Sequence, residues 1–366
     1  MRRPIDGDAA VTGTGLVTPL GIGVPAVRAA LAAGRVATAP AALVEEPWLR
    51  AQVPSDLEAQ AKFLNGSGQM AVTAVAEAVA SARLEGHEDA RKSLVLAQVD
   101  LEPTSYADYR AAFEDATDGF KKPAASVPEA LNPASVRKMN PFYLLGTLNN
   151  NAFSFLSAWH GLRGSNTTLS GWSGAGLLAV SLAARAVARG DATAAVACGA
   201  ARIAVPVVRM EIEHAGLLPA GAVPGEGAGA LVFERLAAAK ARGVTPIAVV
   251  LGHGAAFGPD SPHGASPAAM RDAAEAALLE AGADAGDVSV VVAAHTDRAA
   301  AALAGVPALA GVPVRSWRLN LGHAGPASDA IDAALACLVA AETSGGILLL
   351  AEGLDGQAAA LVLSRA

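Results

Sequence analysis

Residues 169–191 read LSGWSGAGLLAVSLAARAVARGD. Small residues crowd the start, at Gly171, Ser173, Gly174, Ala175 and Gly176, and an apolar run then leads to Gly190. A small-residue turn feeding a helix is the outline of a nucleophile turn, because a helix amino terminus favours negative charge developing beside it. The best nucleophile on offer is the hydroxyl of Ser173, which stays protonated at neutral pH unless a base adjoins it. The plainer alternative is a small residue that only fits the turn, and residue types alone leave both open.

Outward from this stretch, residues 191–205 (DATAAVACGAARIAV) form a continuous apolar run expected as a central strand. The same plan returns in residues 323–353, HAGPASDAIDAALACLVAAETSGGILLLAEG. Each copy has a small-residue turn, an Ala-rich helix, a stop and a buried strand ending in Gly. Two halves built alike bring two helix amino termini to one site, Ser173 from one half and His323 from the other. Elsewhere, residues 9–21 (AAVTGTGLVTPLG) read as a buried strand with a Gly-rich turn. It is no phosphate loop, since neither a lysine nor GxGxxG spacing follows. Residues 35–62 and 101–140 read mostly as loops with short helices, 140–161 as a helix closed at Gly161, and 163–171 (RGSNTTLSG) as β-rich. Residues 224–254 give turn, strand, helix and strand, and 266–295 a long amphipathic helix and a strand ending at His295.

Composition narrows the function classes. At 366 residues the chain suits one large α/β unit or two half-units. Hydrophobic residues make up 52% and aromatics only 4%, which fits close helix-on-strand packing. No apolar run approaches the ~20 residues of a membrane span, and no apolar stretch follows Arg2 and Arg3 to suggest a signal peptide. Cys198 and Cys337 are too few for a disulfide framework or a zinc site, so a reducing, cytoplasmic setting is the default. A net charge of −7 argues against nucleic acid or anionic membrane as partner. The basic pairs Arg91-Lys92, Lys121-Lys122 and Arg137-Lys138 read singly as solvated faces, or together as a docking patch for an acidic protein. His87, His160, His214, His253 and His263 need only surface or capping roles, with His253 in LGHGAAFG the one to watch.

Taken in order, these segments resemble the β-ketoacyl synthase branch of the thiolase-fold superfamily over nearly the whole chain. VTGTGLVTPLG looks like that family's first strand and turn, PGEGAGALVFERLAAAKARG matches a characteristic segment, and AAHTD and LNLGHAG fall where it carries two catalytic histidines, here His295 and His323. The resemblance implies an α/β, thiolase-like, five-layered α-β-α-β-α fold from two similar halves. Residues 1–235 would carry the nucleophile position, and residues 236–366 both histidines. No cofactor is expected to bind; the phosphopantetheine arm of an acyl carrier protein delivers the chain in such enzymes.

Against that pattern the site looks eroded. Ser173 falls at the family's cysteine, and an oxygen ester is a poorer acyl donor to carbon than a thioester. Arg318 stands at the usual lysine, which is not a neutral exchange. Asp297 and Ala299 replace two threonines. Residues 353–356 (GLDG) replace Gly-Phe-Gly-Gly, although the Leu354 N–H is still available for an oxyanion hole. Three functions follow from the resemblance. The chain is a chain-length-factor-like partner of a cysteine-bearing ketosynthase, paired near Asn166, Thr167 and Thr168 as a heterodimer, or else a homodimer. It is instead a malonyl-carrier-protein decarboxylase with His295 and His323 stabilising the enolate. Or it is an O-acyltransferase acting through Ser173.

Overall fold

In the computed structural model the residues described are 1–37, 43–44, 53–84, 86–99, 106–123, 127–143, 148–214, 218, 220–259, 264–284, 286–353 and 355–366. The strands are β1 (Ala9–Thr18), β2 (Gly21–Ile22), β3 (Lys92–Gln98), β4 (Thr167–Ser170), β5 (Ala194–Arg202) and β6 (Glu226–Arg235). They continue with β7 (Ala248–Phe257), β8 (Val288–Ala293), β9 (Val314–Arg315), β10 (Gly346–Glu352) and β11 (Gln357–Ser364). Five helices carry the argument: α1 (Gly66–Ala82), α2 (Ala175–Arg189), α3 (Pro267–Glu280), α4 (Thr296–Leu303) and α5 (Pro326–Glu342).

The strand order is β4-β3-β5-β6-β1-β7-β11-β10-β8-β9, with β2 folded back on β1. Reading from the centre outward, β1-β6-β5-β3-β4 and β7-β11-β10-β8-β9 have the same arrangement. In each, the first two pairings are antiparallel and the last two parallel. The halves join where Ala10 and Val11 of β1 face Val249 and Ala248 of β7. Helix α1 covers the outer face of the first half and α3 that of the second, while α2 and α5 pack on each other between them. The layers are therefore α-β-α-β-α. Helix α5 is buried on nearly every side, which matches its almost uniformly apolar sequence.

Glycine lets the layers approach. A Cβ on Gly176 of α2 would lie 2.1 Å from the carbonyl oxygen of Pro326, and one on Gly199 of β5 2.3 Å from the same atom. Gly229 of β6 likewise meets the backbone of α5 at Ile331, 2.4 Å away. Gly229 of the GEGAG segment thus lets the central helix seat against β6.

Several sequence expectations change in detail. Residues 106–116 and 128–138 are regular helices rather than loops with short helical pieces. His253 lies on β7, its ring within 3.7 Å of Glu280, so the histidine to watch is part of the scaffold. His87 is no surface group: its Nε2 is 2.8 Å from the fully buried Glu234, whose carboxylate also accepts from Arg242 at 2.8 Å. These hydrogen bonds hold Glu234 down at about 2 against the upward pull of burial. His160 is also buried, and desolvation lowers it to about 4. Lys92, counted in a basic surface pair, is buried and donates to the His160 carbonyl at 3.0 Å.

Candidate active site

Ser173 ends the turn ahead of α2. The next residue, Gly174, caps the helix at φ +93°, a left-handed conformation that suits glycine. The Gly353 turn closes over it, because a Cβ on Gly353 would lie 2.5 Å from the Ser173 carbonyl oxygen. Ser173 and His323 are both buried, and Ser173 Oγ lies 3.1 Å from His323 Nε2. The two halves therefore do meet at this pair. The His323 backbone is fixed from the GEGAG side, where its N–H donates to Val223 and its carbonyl accepts from Gly225, each at 2.8 Å.

His323 is neutral. Burial holds it well below its ordinary value, and the charges of Arg318 and His295 add to the effect. Among the described residues its Nδ1 has no partner. A proton on Nδ1 would be a buried donor without an acceptor, the less tolerated kind of orphan. The lack of a partner at Nδ1 thus favours the tautomer with its proton on Nε2, donating to Ser173 Oγ. In that tautomer His323 is a hydrogen-bond donor and not a base.

Arg318 is 2% exposed and lies beneath the site. It pairs with Asp332, donates to Ser328 Oγ, and reaches the Gly322 carbonyl at 3.1 Å. Ser328 Oγ in turn accepts from the Ala324 N–H at 2.8 Å, so this network fixes the turn that carries His323. Burial pushes the Asp332 carboxyl up to about 6, with Arg318 opposing the rise. One helical turn earlier, Asp329 accepts from the Gly174 N–H at 2.6 Å. Its carboxyl is raised to about 8 by burial first and then by Asp332, while the Gly174 amide and Arg318 pull the other way. Neither acid was singled out from sequence. Two acids three residues apart in an otherwise apolar helix were the available signal.

His295 lies at the amino end of α4, close enough to His323 to help lower it. It lines a cavity of about 310 Å³ with Thr296, Asp297, Arg298, Ser316 and Arg318. Burial, and then Arg298, lower it to about 4, so this histidine too is neutral at pH 7. Arg298 reaches Glu352 at 3.1 Å, and Ala299 is buried on α4. Leu354 lies outside the described residues. The neighbouring Gly353 N–H is committed to the Gln357 carbonyl at 2.8 Å. Asn166 accepts from the Leu94 N–H and donates to the Leu162 carbonyl, both at 2.7 Å, so its side chain braces β3 internally. Thr167 and Thr168 lie on β4, the edge strand of the first half. Among the described residues no group of three or more His, Cys, Asp or Glu is placed to hold a metal ion. Nor is any helix there long and apolar enough to cross a membrane.

The chain is similar to several known proteins. A 3-oxoacyl-[acyl-carrier-protein] synthase 2 of Vibrio cholerae is 34% identical over 174 residues, a stretch covering 40% of this chain and 42% of that enzyme. The protein of the same name from Rhizobium meliloti is 27% identical over 376 aligned positions, covering 92% of this chain and 86% of its own. Among solved structures, the ishigamide ketosynthase/chain length factor superposes with a TM-score of 0.80 at 20% identity, over 98% of this chain and 99% of the other. That likeness establishes the thiolase-like fold. Residues 7–239 match the family described as beta-ketoacyl synthase, N-terminal domain, and with well over half of its length so matched the chain belongs to the β-ketoacyl synthase family.

Proposed function

We propose that this chain does not condense acyl units by itself and serves as the chain-length-factor-like partner of a cysteine-bearing ketosynthase. The observation that carries the reading is the Ser173–His323 pair. A hydroxyl occupies the position assigned by resemblance to cysteine, and its side-chain hydrogen-bond partner among the described residues is a neutral histidine whose Nδ1 has no partner there to orient it as a base. An activated serine needs both a base and a group that orients the base. Acyl chains would arrive on the phosphopantetheine arm of an acyl carrier protein, the carrier named in the relatives' descriptions. Pairing would use the open edge of β4 at Thr167 and Thr168.

A second reading rests on the cavity at His295. Two neutral histidines can donate N–H groups to an enolate oxygen, which is what decarboxylation of a malonyl thioester requires. One experiment separates the readings: the purified chain is incubated with malonyl-carrier protein, and the mass of the carrier arm is followed. No change, with co-purification beside a cysteine-bearing synthase, is the expected result. Loss of carbon dioxide that disappears in His323→Ala would replace it with the decarboxylase, and a stable acyl adduct on Ser173 with the O-acyltransferase. Elongation of a primed thioester by the isolated chain would sink all three.

A further inference from the structure

We propose that Asp329 is a charge block on the nucleophile turn: its buried carboxyl, seated on the amino terminus of α2, keeps a nucleophile at position 173 in its neutral form, so that sulfur restored there would remain a thiol.

The argument begins with the helix end. The first N–H groups of a helix have no partner within the helix, and with the helix dipole they attract a negative charge. Helix α2 begins at Gly174 without a side-chain cap of its own. Those donors are the group that would lower the pKa of a thiol beside them. They are already engaged. The Gly174 N–H donates to Asp329 at 2.6 Å, and the Leu177 N–H bonds the same carboxyl. The acid comes from α5, which Gly176 allows so near to α2 that an added Cβ there would lie 2.9 Å from the Asp329 Cβ.

Little space is left there for solvent. Leu177, Val292, Ala294 and Leu349–Ala351 enclose Asp329 and Asp332 around a void of about 10 Å³, at the lower limit for one water molecule. The charges facing Asp329 are Asp332 on its own helix and Arg318 from the segment before His323, and Arg318 is already paired with Asp332. His323 is neutral, and Glu352 at the end of β10 is paired with Arg298. Once Asp329 has lost its proton, a thiolate at position 173 would thus be a further anion beside two buried carboxylates and one cation, and below that pH Asp329 already occupies the donors that would stabilise it. Like charges in so dry a site do not ionise together. The inference rests on reading residue 173 as the nucleophile position; it does not depend on any partner or substrate.

The test titrates a thiol rather than an activity, so it succeeds or fails independently of the assay on malonyl-carrier protein. Ser173→Cys and Ser173→Cys/Asp329→Asn are compared by ultraviolet thiolate absorbance as a function of pH, which needs no reagent to reach the buried position 173. The parent serves as the blank, since Cys198 and Cys337 are buried. The single variant is expected to titrate above the ordinary thiol value of ~8.5. The Asn change keeps the shape and removes the charge that Asp329 carries above about 8, so it should lower the thiol midpoint by about one unit or more, a tenfold change in proton affinity. A single variant already ionised at pH 7, or a double variant titrating no lower than the single, would overturn the proposal. A second measurement needs no cysteine. A carboxyl that keeps its proton to about 8 when folded, and loses it near 4 when unfolded, contributes stability that is present at low pH. That stability is lost as pH rises through 8. The melting temperature of Asp329→Asn should therefore fall less than the parent's between pH 5 and pH 9, and parallel curves would count against the block.

Discussion

In the first half of the molecule, Gly13 and Gly15 of β1 lie against the carbonyls of Ala78 and Ala74 in α1. In the second, Gly252 and Gly254 of β7 lie against those of Ala277 and Ala273 in α3. The matched distances to an added Cβ are 2.1 and 1.9 Å in one half, and 2.1 and 1.8 Å in the other. The outer layers thus repeat one solution, a Gly-x-Gly strand under an Ala-rich helix. The inner layers depart from each other. Helix α2 starts after a hydroxyl and has no acid in its first turn, whereas α5 brings Asp329 and Asp332 into the site. Backbone contact is a requirement that both halves share. Chemistry is divided between them, one half giving the hydroxyl and the other nearly all of the charge.

The largest break in this comparison should come from the inner layer. Arg318→Met leaves Asp332 buried without its partner, and such losses cost about 3–5 kcal/mol. Urea unfolding should show it, and adding Asp332→Leu should recover most of the loss. If Arg318→Met alone were as stable as the parent, the buried pair would not hold the site together. Next come the outer layers, where the comparison can be made sharper. Gly15→Ala and Gly254→Ala each push a methyl into a carbonyl oxygen, so each should cost about 2–3 kcal/mol, and by nearly equal amounts. A difference of more than about 1 kcal/mol between the two would mean the halves tolerate crowding differently. At neutral pH the smallest effect concerns His295. Its folded value of about 4 lies below the unfolded ~6.5. The unfolded chain therefore takes up the proton first, and stability is lost as pH falls from 6.5 towards 4. His295→Gln should flatten that acid limb in thermal melts and leave the melting point at pH 8 nearly unchanged.

Much of the frame was legible because it depends on patterns that read locally. The turn at Ser173, the Gly-marked end of α2 at Gly190 and the repeated helix-then-strand plan all appear as residue spacing. His323 was legible from its glycine context and from the resemblance. The residues that were missed act across long separations. Asp329 caps a helix that begins 155 positions earlier, and no local pattern announces a cap supplied by another helix. Asp332 has the same difficulty, since an acid on a helix ordinarily reads as a solvated face. His87 was placed at the surface because its partner, Glu234, lies 147 residues away and looks like an edge charge at the end of a strand. The short seam between β1 and β7 was also invisible, as two residue pairs leave no periodic trace.

The guanidinium of Arg318 has one more consequence. An ammonium in so dry a place can shed its proton and go neutral, but a guanidinium holds on to its own at any pH a folded protein survives. The centre of this molecule therefore keeps a permanent cation, and whatever protonation changes occur there must fall to the acids and imidazoles around it.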